Sequence, residues 1–132
     1  MLVRTGLRPV RIPTDVPDGL SNTILLGEKQ LNITRFGSTY DDNEPYVAPG
    51  WDSEIYRVGS TSRLPGPDSQ HPSYTAADPD SASSAFGSSH PQTFNAAMGD
   101  GSVRAIRYAV NPTAFQRACV RDDGLTYNPN DL

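Results

Sequence analysis

The chain has 132 residues, of which 36% are hydrophobic, with 11 glycines, 12 prolines and a formal net charge of −4. This length fits one domain, and the composition predicts a loop-rich, β-leaning fold with a modest core rather than a wholly disordered chain. The acidic balance, without any basic block, argues against nucleic acid as a partner.

Three prolines, Pro9, Pro13 and Pro17, lie in the first 17 residues. Proline at this density excludes a helix and predicts an extended segment over 1–17 that docks as an edge strand or serves as a linker. Residues 18–132 are expected to form a single globular domain. No run of residues approaches the roughly 18 apolar residues of a membrane span, so we expect this chain to contain no direct span.

Two strands are predicted after the turn at Asp18-Gly19. The first, over 22–28, is a short apolar run, and the second, over 30–36, alternates apolar and polar residues. Asn32 also begins an Asn-Ile-Thr sequon for N-glycosylation.

An oxygen-rich cluster follows in a predicted loop, formed by Asp41, Asp42, Asn43 and Glu44. Calcium is bound by about six to eight oxygen ligands, so the cluster is a candidate contributor to a calcium site. The spacing of an EF-hand is missing, and a plain solvated loop explains the same residues. No other cofactor is indicated.

Three aromatic residues, Tyr46, Trp51 and Tyr56, lie within eleven positions of one another. They are candidates for a surface that binds a glycan or a protein. The alternative is that they anchor the core or rim of a small domain.

A long loop is predicted over 59–89, where Ser, Pro, Gly, Asp, Thr and Ala dominate. Loops of this length are usually functional or disordered, and the Ser and Thr content is typical of O-glycosylated surface segments. An ordered but irregular loop is the alternative.

A β-hairpin is predicted next, with strands over 93–98 and 103–109 joined by a turn at residues 99–102, because Asp-Gly between apolar runs is a strong hairpin signal. A helix over 112–119 follows, with Asn111 as its N-cap and Pro112 at its first position. Asp122 to Gly124 are expected to end it.

Catalytic patterns are weak in this sequence. Two histidines, His71 and His90, could serve as bases, but there is no nucleophile elbow, no glycine-rich phosphate loop and no Cys/His set for zinc. The single cysteine, Cys119, excludes an intramolecular disulfide and is interpreted as a small buried hydrophobe. We therefore predict that the protein is not an enzyme.

Two sequence blocks together identify a resemblance. Gly87-Ser88-Ser89-His90-Pro91 precedes Asp100-Gly101-Ser102-Val103-Arg104, and Asp18-Gly19-Leu20-Ser21-Asn22-Thr23 leads through an apolar run into Gly27-Glu28-Lys29. In this order the blocks resemble the bacterial prepilin-type, processing-associated domain family named for its His-x9-Asp-Gly motif. The resemblance implies that His90, Asp100, Gly101 and Glu28 are structural motif residues, and that Glu28 is buried beside His90 or Arg104. The alternative for Glu28 is a solvated position at the end of its strand.

The resemblance implies a pilin-like α+β domain, rich in β-structure, with an antiparallel sheet, one short C-terminal helix and long irregular loops. It implies the globular part of a structural subunit of a type IV pilus-like or type II secretion pseudopilin-like filament, extracellular or on the cell surface. Such proteins carry a long apolar N-terminal helix, which these residues do not contain. We expect a separate helix chain or a cleaved N-terminal region to supply it, other filament subunits to be partners, and one sheet face of the homo- or hetero-oligomer to be apolar and exposed in isolation. Pseudopilins of the secretion type also use a loop calcium. The alternative function is a secreted module that binds glycans or proteins.

Overall fold

The computed structural model describes residues 9–33, 36, 55–71 and 84–132. The strands are β1 (Ile24–Gly27), β2 (Gly66–Pro67), β3 (Gly87–Ser88), β4 (Thr93–Met98) and β5 (Val103–Arg107), and the helix α1 spans Pro112–Cys119. Short 3-10 turns occur at Leu20–Asn22, Asp68–Gln70 and Pro129–Asp131. The fold is a mixed α+β fold dominated by a small antiparallel sheet, as predicted.

The main sheet has three antiparallel strands in the order β1-β4-β5. β4 and β5 form the predicted hairpin in continuous register, from Thr93 opposite Arg107 to Ala97 opposite Val103. β1 pairs with the other edge of β4, with an irregularity between Ile24 and Leu26.

The two ends of the predicted 59–89 loop meet in a second, parallel sheet, β2 against β3. A single bridge between Lys29 and Phe86 connects β3 to the chain that follows β1. Gly87 is required in β3 because a side chain there would collide with the backbone carbonyl oxygen of Gly66.

The core lies between the main sheet and α1. Phe94, Met98, Ile106 and Phe115 are the largest fully buried side chains. The rings of Phe94 and Phe115 meet edge to face with centroids 6.3 Å apart. We call the covered side of the sheet, which carries Phe94, Ala96, Met98 and Ile106, the inner face.

Local signals explain why α1 begins where it does. The Asn111 side chain accepts the backbone N–H groups of Thr113 and Ala114 at 3.0 and 3.1 Å, which satisfies donors that the first turn leaves open. Ala114, Phe115 and Ala118 are its buried residues. The helix ends at Cys119, before the Asp122 to Gly124 stretch that was expected to end it.

Several predicted elements were wrong in extent or kind. The strand predicted over 22–28 is confined to Ile24–Gly27, and that predicted over 103–109 ends at Arg107. Residues 30–33 of the predicted second strand form no strand, because the N–H of Leu31 donates to the Asp68 carboxylate at 2.8 Å rather than to a neighbouring strand. Residues 12–15 form turns, with the Asp15 N–H bonded to the Arg11 carbonyl.

None of the helices among the described residues has the length and apolar character needed to cross a membrane.

Candidate functional site

Asp100 and Gly101 form the turn between β4 and β5. Asp100 Oδ1 accepts the Ser102 N–H at 2.9 Å and the Ser102 hydroxyl at 2.7 Å. The Ser102 hydroxyl, followed by its backbone N–H, lowers the pKa of the Asp100 carboxyl. Gly101 has a φ of +85°, which glycine adopts without strain. These residues therefore fix the turn by local contacts.

His90 lies at the opposite end of β4 from Asp100. Nine residues lie between the two, and the six that form β4 span about 20 Å at ~3.4 Å per residue. The spacing that made them look like a pair in sequence is what keeps them apart in the fold. The two side chains therefore do not form a directly contacting pair.

His90 instead lies beside Glu28 and Asn95. The Nε2 atom of His90 is 3.8 Å from Glu28 Oε1 and 3.5 Å from Asn95 Nδ2. Glu28 Oε2 accepts the Asn95 N–H at 2.7 Å, and the Glu28 N–H donates to the Asn95 carbonyl at 3.1 Å. Glu28 thus meets His90, one of its two expected partners. Its side chain is 38% exposed, so the expectation of a buried carboxylate was wrong.

The turn before β4 is held by Ser88 and Tyr108. The Ser88 hydroxyl donates to the Thr93 carbonyl at 3.1 Å and accepts the His90 N–H at 3.2 Å. The Tyr108 hydroxyl lies 3.1 Å from the His90 carbonyl. Sequence reasoning gave Tyr108 only as a candidate for burial on the return strand, although the hairpin register places it just beyond the Thr93–Arg107 pair. This turn fixes the main chain of His90 and leaves its ring exposed.

The sequence block that begins at Asp18 binds the C-terminal segment through hydrogen bonds. Asp18 is buried, and its carboxylate accepts the N–H groups of Asp123 and Gly124 at 3.0 and 2.8 Å. The Tyr127 hydroxyl donates to the Asn22 carbonyl at 3.0 Å. We call these contacts the Asp18 clamp. Sequence reasoning treated Asp18 only as a turn residue.

Most of the other predicted site residues lie in the part of the chain that the structure does not describe. The calcium candidates Asp41, Asp42, Asn43 and Glu44, and the aromatic candidates Tyr46 and Trp51, lie outside the described residues. Tyr56 is half-buried. In the part of the chain that the structure describes, there is no group of three or more His, Cys, Asp or Glu side chains placed to hold a metal ion. The sequon residue Asn32 is buried, which argues against a glycan there.

An apolar row crosses the uncovered side of the main sheet, which we call the outer face. Leu26, Ala97 and Val103 are register neighbours on β1, β4 and β5. Leu26 and Val103 are 67% and 71% exposed. Two large apolar side chains, on the two edge strands and on either side of Ala97, are therefore open to solvent.

Two further features, a polar groove beside α1 and the thiol of Cys119, offer no reactive group. A polar groove of about 360 Å³ lies between α1 and the C-terminal segment, and Arg117, which lines it, donates to the Thr126 carbonyl at 2.7 Å. Burial raises the pKa of the Cys119 thiol to about 12. At neutral pH this thiol is protonated and is a poor nucleophile.

Comparison with known proteins gives one family. The family model described as "protein of unknown function (DUF1559)" matches residues 9–113, which include both sequence blocks, the main sheet and the β4–β5 hairpin. No curated protein matches, and no solved structure matches.

Proposed function

The chain belongs to the DUF1559 family, whose model matches residues 9–113, and from this we propose that it is the globular part of a pilin-like or pseudopilin-like structural subunit. The family is associated with prepilin-like and pseudopilin-like proteins. In this proposal the subunit is extracellular or on the cell surface, has no catalytic role and assembles with other subunits. The His-x9-Asp-Gly motif is its architectural signature.

The outer face is the observation that carries the proposal. The inner face is already covered by α1, whereas Leu26 and Val103 stand exposed on the opposite side. Burial of apolar surface is worth roughly 25 cal/mol per Å², so a partner that covers these side chains gains free energy. The apolar helix of a pilin-like subunit has the chemistry to cover this face, whether it comes from a partner chain or from a cleaved N-terminal region.

The uses of the motif residues support a structural role over a catalytic one. Asp100 is engaged by Ser102, and the Asp18 carboxylate is engaged by two backbone N–H groups. Asp100 lies at the far end of β4 from His90, and the carboxylate that does lie beside His90, that of Glu28, accepts the Asn95 N–H. A proton relay between His90 and Asp100 therefore has no geometric basis in this fold.

Photo-crosslinking in the source cells tests the proposal. We place p-benzoylphenylalanine at Val103 on the outer face and, as a matched control, at Leu125, which is 49% exposed in the C-terminal segment. Irradiation should join the Val103 variant to a filament subunit or helix-bearing chain in the sheared surface fraction, and the Leu125 variant should give a clearly lower yield. Absence of the chain from any filament, or equal yields from both positions, would overturn the proposal.

A further inference from the structure

One edge of the main sheet is open along β5. This strand is the last in the order β1-β4-β5 and pairs only with β4. The Tyr108 N–H donates to the Gln92 carbonyl at 3.0 Å, which continues the ladder in the register of the hairpin. In such a ladder the backbone groups of successive residues point to alternate sides of the strand. The groups that point away from β4 are therefore those of Val103, Ala105 and Arg107.

The outward-pointing backbone groups of β5 lack protein partners. In the part of the chain that the structure describes, no hydrogen bond reaches them. Val103 is 71% exposed, and Ala105 and Arg107 are exposed as well. The Arg107 guanidinium does not shield the edge, because it donates to the carbonyls of Asn130 and Leu132 at 2.6 and 3.3 Å. Edge strands are commonly shielded by charge, by proline or by a covering segment, so β5 offers a surface on which another strand can pair.

We propose that β5 pairs antiparallel with β5 of a second copy of this chain, around a two-fold axis at Ala105. In this register Ala105 faces Ala105 of the second copy, and Val103 faces Arg107 of the second copy. The outward-pointing groups of both strands then meet in pairs that exchange N–H···O bonds. The two main sheets become one sheet with the order β1-β4-β5-β5-β4-β1. The proposal does not depend on the filament role.

The side chains of β5 fit a second copy of the same strand. Ala105 brings a single methyl group to the axis, so neither bulk nor charge opposes the contact there. Like charges directly opposite one another destabilise paired strands, and this register has none within β5. Each Arg104 faces Ile106 of the second copy, and the aliphatic stem of each Arg107 lies beside Val103 of the second copy.

The size of the contact predicts a weak, closed dimer. β5 has five residues, so the contact is much smaller than the roughly 800 Å² per partner of a stable interface. A two-fold contact uses the same patch on both copies and closes after two, so it does not grow into a fibre. The outer faces of the two copies lie on the same side of the joined sheet. Leu26 and Val103 therefore remain available to a partner on that side.

Disulfide trapping of the purified full chain tests the pairing. Facing Cα atoms in a hydrogen-bonded antiparallel pair are about 5.5 Å apart, within the range of about 4.4 to 6.8 Å that a disulfide spans. Ala105→Cys should therefore form a covalent dimer under mild oxidation. The matched control is Ala109→Cys, at an exposed alanine beyond the end of β5, which should give about tenfold less dimer because no facing thiol lies in range.

A third cysteine variant tests the register. The two copies of Val103 lie four residues apart along the paired strands, which is about 14 Å at ~3.4 Å per residue. Val103→Cys should therefore give as little dimer as the Ala109→Cys control. Cys119 is the only native cysteine, and it does not compete because burial raises the pKa of its thiol to about 12.

A charge at the axis tests the edge without removing a bond to β4. In Ala105→Lys two ammonium groups face each other, which should weaken dimerisation by about tenfold or more in sedimentation equilibrium. Ala109→Lys should leave dimerisation unchanged. Because both positions are exposed, both variants should keep the circular dichroism spectrum of the wild type.

Several outcomes would overturn the proposed dimer. They are a wild type that stays monomeric at millimolar concentration, equal yields from Ala105→Cys and either of the other cysteine variants, and unchanged dimerisation of Ala105→Lys. In the source cells, a disulfide that joins Ala105→Cys to a different protein rather than to its own copy would assign the edge to that protein and would also overturn the proposal.

Discussion

The Asp18 clamp yields the sharpest stability prediction, since one side chain joins parts of the chain that are more than 100 residues apart. Replacing Asp18 with Ala removes an acceptor from the N–H groups of Asp123 and Gly124, which it bonds at 3.0 and 2.8 Å. Hydrogen bonds to charged groups contribute about 1.5 to 3 kcal/mol each. Since Asp18 is only 8% exposed, water replaces these bonds poorly, and we expect a loss of about 3 kcal/mol.

The assay is urea unfolding of wild type, Asp18→Ala and Asp18→Asn, with Asp122→Ala as the control at a side chain that is 54% exposed. At about 1.5 kcal/mol per molar urea, a loss of 3 kcal/mol lowers the midpoint by about 2 M. Asn keeps one acceptor oxygen, so its midpoint should lie between those of the Ala variant and wild type. The control should remain within about 0.5 kcal/mol of wild type.

Hydrogen exchange separates the clamp from a general loss of stability. In Asp18→Ala, the amides of Asp123 and Gly124 should exchange faster than in wild type by a larger factor than those of β4, because the clamp holds the C-terminal segment directly. An unchanged exchange rate at these two amides, or an unfolding midpoint equal to that of the Asp122→Ala control, would refute this account of Asp18.

Three further predictions concern a close backbone approach, a thiol and a carboxyl. Gly87→Ala should destabilise the fold by about 3 kcal/mol in thermal unfolding, because the new Cβ would lie 2.8 Å from the Gln30 Cβ and collide with the Gly66 carbonyl oxygen; wild-type stability would contradict this. Cys119 should react with a thiol reagent far more slowly in the native chain than in urea, because burial raises the pKa of its thiol to about 12; equal rates by absorbance would contradict it. Ser102→Ala should raise the pKa of Asp100 toward its ordinary value of 3.8, measured by carbon NMR titration. Because folding lowers the pKa of Asp100, the stability that its carboxylate contributes is present above pH 3.8 and is lost as pH falls through the pKa of the folded chain. If the pKa of Asp100 is the same in Ser102→Ala as in wild type, Ser102 is not the cause of the lowered pKa.

Local signals predicted the parts of the fold that local interactions determine. Strand β4 begins and ends at the predicted residues, Thr93 and Met98, and α1 does so at Pro112 and Cys119. Asp-Gly sets the hairpin turn, and Asn-Pro sets the helix start, through bonds within two or three residues. Such signals can be read from a single sequence.

Contacts between distant residues were the part that the sequence could not supply. The alternation over 30–36 has the period of a strand, yet the Gln30 N–H bonds the Ala85 carbonyl and the Leu31 N–H bonds Asp68. The chain therefore leaves the main sheet after β1. Asp18 shows the same limit, because nothing near it in sequence indicates that its partners are Asp123 and Gly124.

The nine residues between His90 and Asp100 have a physical meaning in this fold. They comprise two turn residues, the six residues of β4, and Gly99. Within β4, Phe94, Ala96 and Met98 are buried, and a strand whose side chains alternate between faces tolerates no odd change in length without moving this set to the other side. Both ends are fixed independently, by Ser88 and Tyr108 at His90 and by Ser102 at Asp100. The spacing therefore corresponds to the length of β4, the central strand with which both other strands of the main sheet pair.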